Sequence, residues 1–360
     1  MSRSRKMSGL RTGYTTGACA SAAAKAAAMA LSGQDVPGRV RITLASGEPA
    51  ELDIVEVSLT RTGAYAVVVK DAGDDPDITH GARVMAEVSW MDEGDVSFEA
   101  GEGVGRITRN GLSIPPGEAA INPGPRKMIS MALRDVTSRP ALVRVSIPGG
   151  CELAQKTFNP RLGVEGGLSI LGTTGIVRPY SHPALRQSIL CALDVALAEG
   201  VTRPVLTPGN IGTKAAGQLF GVDSFAIVEV GNEWGYLLEK MADRNVEGVL
   251  VVGHPGKLAK LAMGQWDTHS KRSESAAPFV RRLAEDTLGA PVEESETVEG
   301  VFESLNDEDR RRLGHRLADA IRGAVAEKIC GKADVAVALV NMKLAPVGAA
   351  GNIEPWERRG

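Results

Sequence analysis

Gly248-Val249-Leu250-Val251-Val252-Gly253-His254-Pro255-Gly256 is a continuous apolar run that stops in glycine and proline. Strand side chains alternate between two faces, so a run without polar positions belongs to a strand covered on both sides. The same grammar recurs upstream. Residues 204–207 run into Pro208-Gly209-Asn210, residues 225–230 into Gly231-Asn232, and residues 168–172 into Gly172-Thr173-Thr174-Gly175. Helical stretches follow these turns at about 183–199, 210–219, 233–244 and after Gly256, and residues 335–340 read as a last strand. Four β-loop-α repeats of this kind predict a Rossmann-like, doubly wound parallel sheet over residues 161–360.

The preceding residues, 1–160, follow a different pattern and predict a strand-rich α+β domain, so the chain combines α+β and α/β parts. An alanine-dominated helix is expected over 18–31 after a Thr-Thr-Gly cap. Short β-like runs occupy 39–45, 52–59, 64–70, 83–90 and 142–147, separated by Gly, Asp and Pro clusters such as 71–77. A second helix is expected from Pro125 to Arg134, since proline suits a first helical turn. The mixed charges between 277 and 330 read as the solvated face of helices.

At 360 residues the chain is long for one core and comfortable for two. A net charge of −3 carries no nucleic-acid signature, and no run approaches the roughly 18 apolar residues of a membrane span. The basic start Met1-Ser2-Arg3-Ser4-Arg5-Lys6 leads into Gly13-Tyr14-Thr15-Thr16-Gly17 rather than into a hydrophobic signal segment, so a cytoplasmic location is expected. Cys19, Cys151, Cys191 and Cys330 are far apart and read as buried small hydrophobes in a reducing compartment. The five histidines form no metal motif, and no protein-held metal is expected.

Ligands of open parallel sheets lie outside the carboxyl ends of the strands. The expected cofactor seat is therefore Gly172, Thr173, Thr174 and Gly175, with Thr207, Gly209, Asn210 and Gly253. Glycine admits a ligand to the backbone, and the following helix starts offer N–H donors. Glu229, near its strand end, suits ribose hydroxyls as well as it suits a solvated turn. Neither GxxxxGK[ST] nor a GxGxxG turn entering a helix is present, which disfavours a kinase or an ordinary dehydrogenase. Thr15 and Thr16 before the alanine helix, and Arg126 and Lys127 after Asn122-Pro123-Gly124-Pro125, read as anion seats or as ordinary helix starts. Asp267 and His269 are the one close acid–histidine pair.

Taken together, Arg11-Thr12-Gly13-Tyr14-Thr15-Thr16-Gly17-Ala18-Cys19-Ala20, Asn122-Pro123-Gly124-Pro125-Arg126, residues 166–181 (GGLSILGTTGIVRPYS), Thr207-Pro208-Gly209-Asn210 and residues 252–261 resemble the CbiD family of cobalt-precorrin-5B C1-methyltransferases. The blocks run in order from residue 11 to about 270, and the charged stretch beyond matches nothing. The resemblance implies methyl transfer from S-adenosylmethionine to C1 of a cobalt-bearing tetrapyrrole, cobalt-precorrin-5B, within cobalamin biosynthesis, by a two-domain enzyme. Cobalt would then arrive with the substrate. A sulfonium methyl is already activated, so in-line positioning away from water is the main task. His254, Asp267 and His269 are the candidates for an assisting base. A polycarboxylate substrate calls for cations, and Arg11, Arg126, Lys127, Arg178 and Lys257 lie inside the matched blocks.

Two other readings stay open at this stage. One is a corrinoid-binding carrier without catalysis, which needs only the tetrapyrrole pocket. The other, argued from the sheet edge alone, is a nucleotide-dependent transferase or reductase acting on another polycarboxylate. The sequence is silent on oligomeric state, and a homo-oligomer is allowed.

Overall fold

The structure is a computed structural model that describes residues 9–357. The basic start Met1–Lys6 lies outside the described residues. The chain divides into two compact units between Ser181 and His182.

The first unit is built around one buried helix. β1 (Gly13–Tyr14) leads into α1 (Thr16–Leu31), and β2 (Arg39–Thr43) and β3 (Pro49–Asp53) form a hairpin. β4 (Glu56–Leu59), β5 (Ala64–Val69), β6 (Arg83–Trp90), β7 (Val96–Ala100) and β9 (Ala141–Ser146) form a sheet ordered β4-β5-β6-β9-β7. All its pairings are antiparallel except β7 with β9. β8 (Arg106–Ile107), α2 (Pro123–Arg134), α3 (Gly150–Ala154), β10 (Val164–Glu165) and β11 (Ile176–Val177) complete the unit. α1 is buried nearly all round, from Thr16 through Ala28 except Lys25. The sheet beneath it offers Ala64, Ala66 and Ala86, all fully buried, so small residues meet small residues. That is why an alanine helix with little amphipathic contrast lies inside a core rather than on a surface. Thr15 caps it by accepting from the Ala18 N–H at 3.2 Å.

The second unit holds α4 (His182–Ala198), β12 (Val205–Thr207), α5 (Asn210–Phe220), β13 (Ile227–Glu229), α6 (Trp234–Met241), β14 (Gly248–Gly253) and α7 (Pro255–Ala262). There follow α8 (Ala277–Leu288), α9 (Val298–Glu303), α10 (Asp307–Lys328), β15 (Asp334–Val340) and β16 (Pro346–Ala350). The sheet order is β13-β12-β14-β15-β16, parallel through β15 and antiparallel at β16. One face packs on α4 and α6 to α10; Ala215, Ala216, Phe220 and Trp356 cover the other. β14 is buried at every position, as its unbroken apolar run requires. α10 lies against β16 through glycines: a Cβ on Gly314 would stand 1.7 Å from the Val347 carbonyl oxygen.

Several expectations are corrected. Residues 168–172 are not the first strand of the parallel sheet. Leu168 bridges to Val104 and Ile170 to Ile121 within the first unit, so Gly172–Gly175 leaves the expected ligand edge and the boundary moves from 160 to 181. The parallel strands number four without it, and the antiparallel fifth, β16, was not foreseen. The run 52–59 breaks at Ile54-Val55 into two strands of different sheets, and β7 joins as an unexpected parallel partner. Of the four cysteines Cys19 is buried and Cys191 half-buried, while Cys151 and Cys330 are exposed; none is bonded to another.

Candidate functional site

The carboxyl ends of β12, β13 and β14 meet at one edge of the parallel sheet, with β12 and β14 flanking the point where the strand order reverses. Thr207, fully buried, ends β12, and its Oγ1 lies 2.9 Å from Thr213 Oγ1 on the first turn of α5. Thr213 donates in turn to Glu229 Oε2 at 3.2 Å, so its single proton is committed and Thr207 is the donor to Thr213. This hydroxyl chain fixes the carboxylate at the end of β13.

Gly209 caps α5 at φ 150° and ψ −164°, a region essentially closed to other residues. A Cβ there would find nothing within 4 Å except Glu229 Oε1 at 3.8 Å, so the backbone is open on the side that the carboxylate faces. Gly209 has no side chain to cap α5, and among the described residues no side-chain cap is seen there, which leaves a polar, electropositive helix start beside an acid. The β14 loop closes the other flank, since a Cβ on Gly253 would lie 2.7 Å from Pro208. Lys257 donates to the Pro208 carbonyl at 3.1 Å; burial pushes it below the ordinary lysine value, against the pull of Glu229. Thr207, Gly209, Asn210, Glu229 and Gly253 thus lie at one edge of the sheet, and Lys257 joins them there.

The loop after β13 carries a second cluster. Residues 266–273 are laid along it: Trp266 accepts from the Gly235 N–H, Thr268 donates to the Asn232 carbonyl at 3.3 Å, and Glu233 bridges to Asp267. Buried Lys260 anchors this strap through Thr268 O and Ser273 Oγ at 3.3 and 2.6 Å. Glu233, with a side chain only 5% exposed, receives Arg186 Nε at 2.6 Å and lies 2.9 Å from His182 Nδ1. Burial works to raise the Glu233 carboxyl, but the bonds from Arg186 and His182 outweigh it and hold it low. Arg272 lies 3.3 Å from His182 Nε2 and pairs with Asp267 at 2.5 Å.

Of the three expected bases, His254 and Asp267 have both polar atoms engaged, and His269 is engaged through Nδ1. His254 is the cap of α7: its Nδ1 accepts from the Gly256 N–H and its Nε2 meets Glu299 at 2.7 Å, so neither ring nitrogen is open. Burial favours the neutral form of Asp267, but Arg272 and the His269 N–H hold it charged with a lowered pKa, which makes it a weak base. His269 does not pair with Asp267 through its ring; its Nδ1 accepts from the Lys271 N–H at 3.1 Å.

In the first unit the expected ligand residues mostly hold one another. Arg11 is paired with Asp71 and its N–H with Asp74. The Thr16 hydroxyl accepts from the Leu171 N–H at 2.9 Å, and the Gly17 N–H donates to Leu171 O, so the start of α1 is filled by the chain itself. Thr15 donates its N–H to Gly175 O, and a Cβ on Gly172 would strike Thr15 Oγ1 at 2.2 Å. Thr174 turns back on Ile176, and Thr173 is exposed. At α2, Pro123 and Pro125 remove two of the N–H groups that an anion would use. Arg126 is structural: it donates to Ile121 O and Ala119 O, pairs with Glu118 and lies over the Phe98 ring. Lys127 and Arg178 are exposed, and no partner is seen for either among the described residues. Sequence reasoning missed Thr213, His182, Arg186, Glu233 and Arg272. A hydroxyl one turn past the Pro-Gly-Asn loop was the available signal for Thr213; the others are joined only by folding.

Comparison with known proteins gives a consistent result. The CbiD family model matches residues 3–179, and a model for the CbiD C-terminal domain matches residues 267–351. A cobalt-precorrin-5B C(1)-methyltransferase of Syntrophotalea carbinolica is 50% identical over 98% of this chain and 100% of its own. One from Desulfitobacterium hafniense is 41% identical over 91% of this chain and 87% of its own. A crystal structure of a cobalamin biosynthesis protein (cbiD) from Archaeoglobus fulgidus is 28% identical, covers 73% of this chain and 83% of that one, and aligns with a TM-score of 0.39.

Proposed function

The chain belongs to the CbiD family, and we propose that it methylates C1 of cobalt-precorrin-5B with S-adenosylmethionine as the donor. The observation that carries the donor assignment is the edge outside β12 and β14, where the open side of Gly209 faces Glu229. The donor set fits an adenosine group. A fixed carboxylate at the end of the second parallel strand accepts from ribose hydroxyls, and glycine lets the ligand reach the backbone of the α5 start. We accordingly read the second unit as Rossmann-like and doubly wound. Lys257 braces the loop through Pro208 O and offsets the Glu229 charge.

When bound, the donor supplies an activated methyl group on a positively charged sulfur. The residues here bind and orient it. Lys127 and Arg178, exposed cations with no partner seen among the described residues, are the ones we assign to substrate carboxylates. The tetrapyrrole brings its own cobalt. Among the described residues no helix is long and apolar enough to cross a membrane, in keeping with a cytoplasmic biosynthetic enzyme.

The test is calorimetric titration of the full chain with S-adenosylmethionine and, separately, with NADPH, followed by incubation with cobalt-precorrin-5B. Donor binding and a mass gain of one methyl on the tetrapyrrole are expected. Tetrapyrrole binding without donor binding would make the protein a carrier, and NADPH binding in place of the donor would make it a reductase.

A further inference from the structure

His182 differs from the other four histidines in what its Nδ1 faces. Nδ1 of His80, His254 and His269 accepts from a backbone N–H, with the Asp71 carboxylate 3.8 Å from that of His80, and Nδ1 of His315 sits between the N–H and carbonyl of Ala349. In His182 it meets a carboxylate, Glu233, at 2.9 Å. A carboxylate only accepts, so Nδ1 carries the proton and Nε2 carries the lone pair. Among the described residues Nε2 accepts from Arg272 at a long 3.3 Å, which agrees with that tautomer; Arg272 also holds Asp267, and it must turn to that carboxylate alone before Nε2 can take a proton. The carboxylate is 5% exposed and the imidazole 45%, so the fixed partner is inside and the ring outside. Glu233 lies on the loop that leaves the carboxyl end of β13, four residues after the strand's last residue.

We infer that His182 Nε2 is the proton acceptor of the methyl transfer, with Glu233 as its positioning residue; this rests on the proposed function. The C1–methyl bond forms as the donor's sulfur–methyl bond breaks, that bonding pair staying on sulfur as the neutral thioether departs, and one proton leaves the tetrapyrrole for Nε2. Its former bonding pair stays with the macrocycle and offsets the positive charge that the ring gains with the methyl group. Nδ1–H continues to donate to Glu233, whose charge stabilises the imidazolium. The other charged groups around the ring are Arg186 on its own helix and the Arg272–Asp267 pair on the strap, with Tyr236 against Arg186. Two guanidiniums and two carboxylates thus surround the ring.

Two readouts test this, one without turnover. In ¹⁵N NMR of the wild-type full chain at neutral pH, His182 should show a protonated Nδ1 and a bare Nε2, and Glu233→Gln should perturb that signal. In single-turnover methylation His182→Gln should slow the step about 10²–10⁴-fold with donor and tetrapyrrole affinities unchanged, and should abolish the acid limb of the pH profile. Glu233→Gln should slow it less and displace that limb, and Glu233→Asp should restore most of the rate. A proton on Nε2, or a His182→Gln enzyme with the wild-type rate and profile, overturns the assignment and leaves the pair a pin for the start of α4. Wild-type protein that binds no donor and methylates nothing overturns the parent function instead, and the acceptor role with it.

Discussion

Gly209 and Gly172 both lie at positive φ, yet alanine should act differently at the two. At Gly209 (φ 150°, ψ −164°) the backbone region is nearly glycine-only, so Gly209→Ala introduces strain of about 1–3 kcal/mol. No clash adds to it, because the nearest atom to the new methyl is Glu229 Oε1 at 3.8 Å. The expected fall in Tm is roughly 2–12 °C for a domain of this size. The methyl stands in the donor's approach, so the Kd for S-adenosylmethionine should rise at least about tenfold, ~1.4 kcal/mol. At Gly172 (φ 136°) the same order of strain applies, but the Cβ would fall 2.2 Å from Thr15 Oγ1 and 2.7 Å from Thr15 Cβ. Thr15 must then give up the Ala18 N–H, losing a cap worth about 0.5–2 kcal/mol, and repacking adds about 1–3 kcal/mol. Gly172→Ala should therefore lose roughly 3–8 kcal/mol, while its folded fraction binds donor as the wild type does. Urea unfolding and calorimetry on both variants measure the two quantities. Wild-type donor affinity in Gly209→Ala, or loss of donor affinity without loss of stability in Gly172→Ala, would place the seat in the first unit and refute the reasoning.

Three further outcomes are expected. Gly314→Ala should destabilise by about 1–3 kcal/mol or more, because its methyl would meet Val347 O at 1.7 Å; Gly323→Ala on the same helix, with nothing within 4 Å, should be neutral or stabilising by about 0.5–1 kcal/mol in urea unfolding. Lys70, 1% exposed, donates to Asp77 at 2.7 Å; burial works to raise the Asp77 carboxyl, but the bonds from Lys70 and Thr79 outweigh it and hold it below the ordinary carboxylate value. A depressed carboxyl stabilises above its unfolded value and loses that stability as pH falls through the folded value. Asp77→Asn should thus weaken the fold at pH 7, with the gap closing below about pH 4 in acid unfolding curves. Finally, Arg126→Ala should lower Tm, whereas the Lys127→Ala, Arg178→Ala pair should leave Tm and donor affinity unchanged and weaken tetrapyrrole binding, most at low salt; equal binding at low salt would remove both cations from the substrate site.

The parallel strands were legible because burial on both faces leaves a local mark, an apolar run ended by a glycine-bearing turn, unbroken in β14 and interrupted only by Thr207 in β12 and Glu229 in β13. Thr15 was legible as a cap for the same reason: its acceptor role is settled within three residues. The family blocks were legible as order and spacing along the chain. None of these depends on a partner far away in sequence.

What needed the folded chain is every feature that does. Residues 168–172 have the pattern of a buried strand, but that pattern records burial and not which neighbour supplies the hydrogen bonds; Val104 and Ile121 do, and the Gly-Thr-Thr-Gly turn goes with them. Arg126 has the look of a free cation until the carbonyls of Ala119 and Ile121 and the Phe98 ring surround it. His254 and His182 are equally plain histidines in the sequence. Their difference is which acceptor or donor each nitrogen meets, and Glu233 reaches His182 from 51 residues away. Hydrophobic period and turn chemistry are local energies, written residue by residue. The identity of a hydrogen-bond partner is a property of two places at once, and only the tertiary fold brings them within 3 Å.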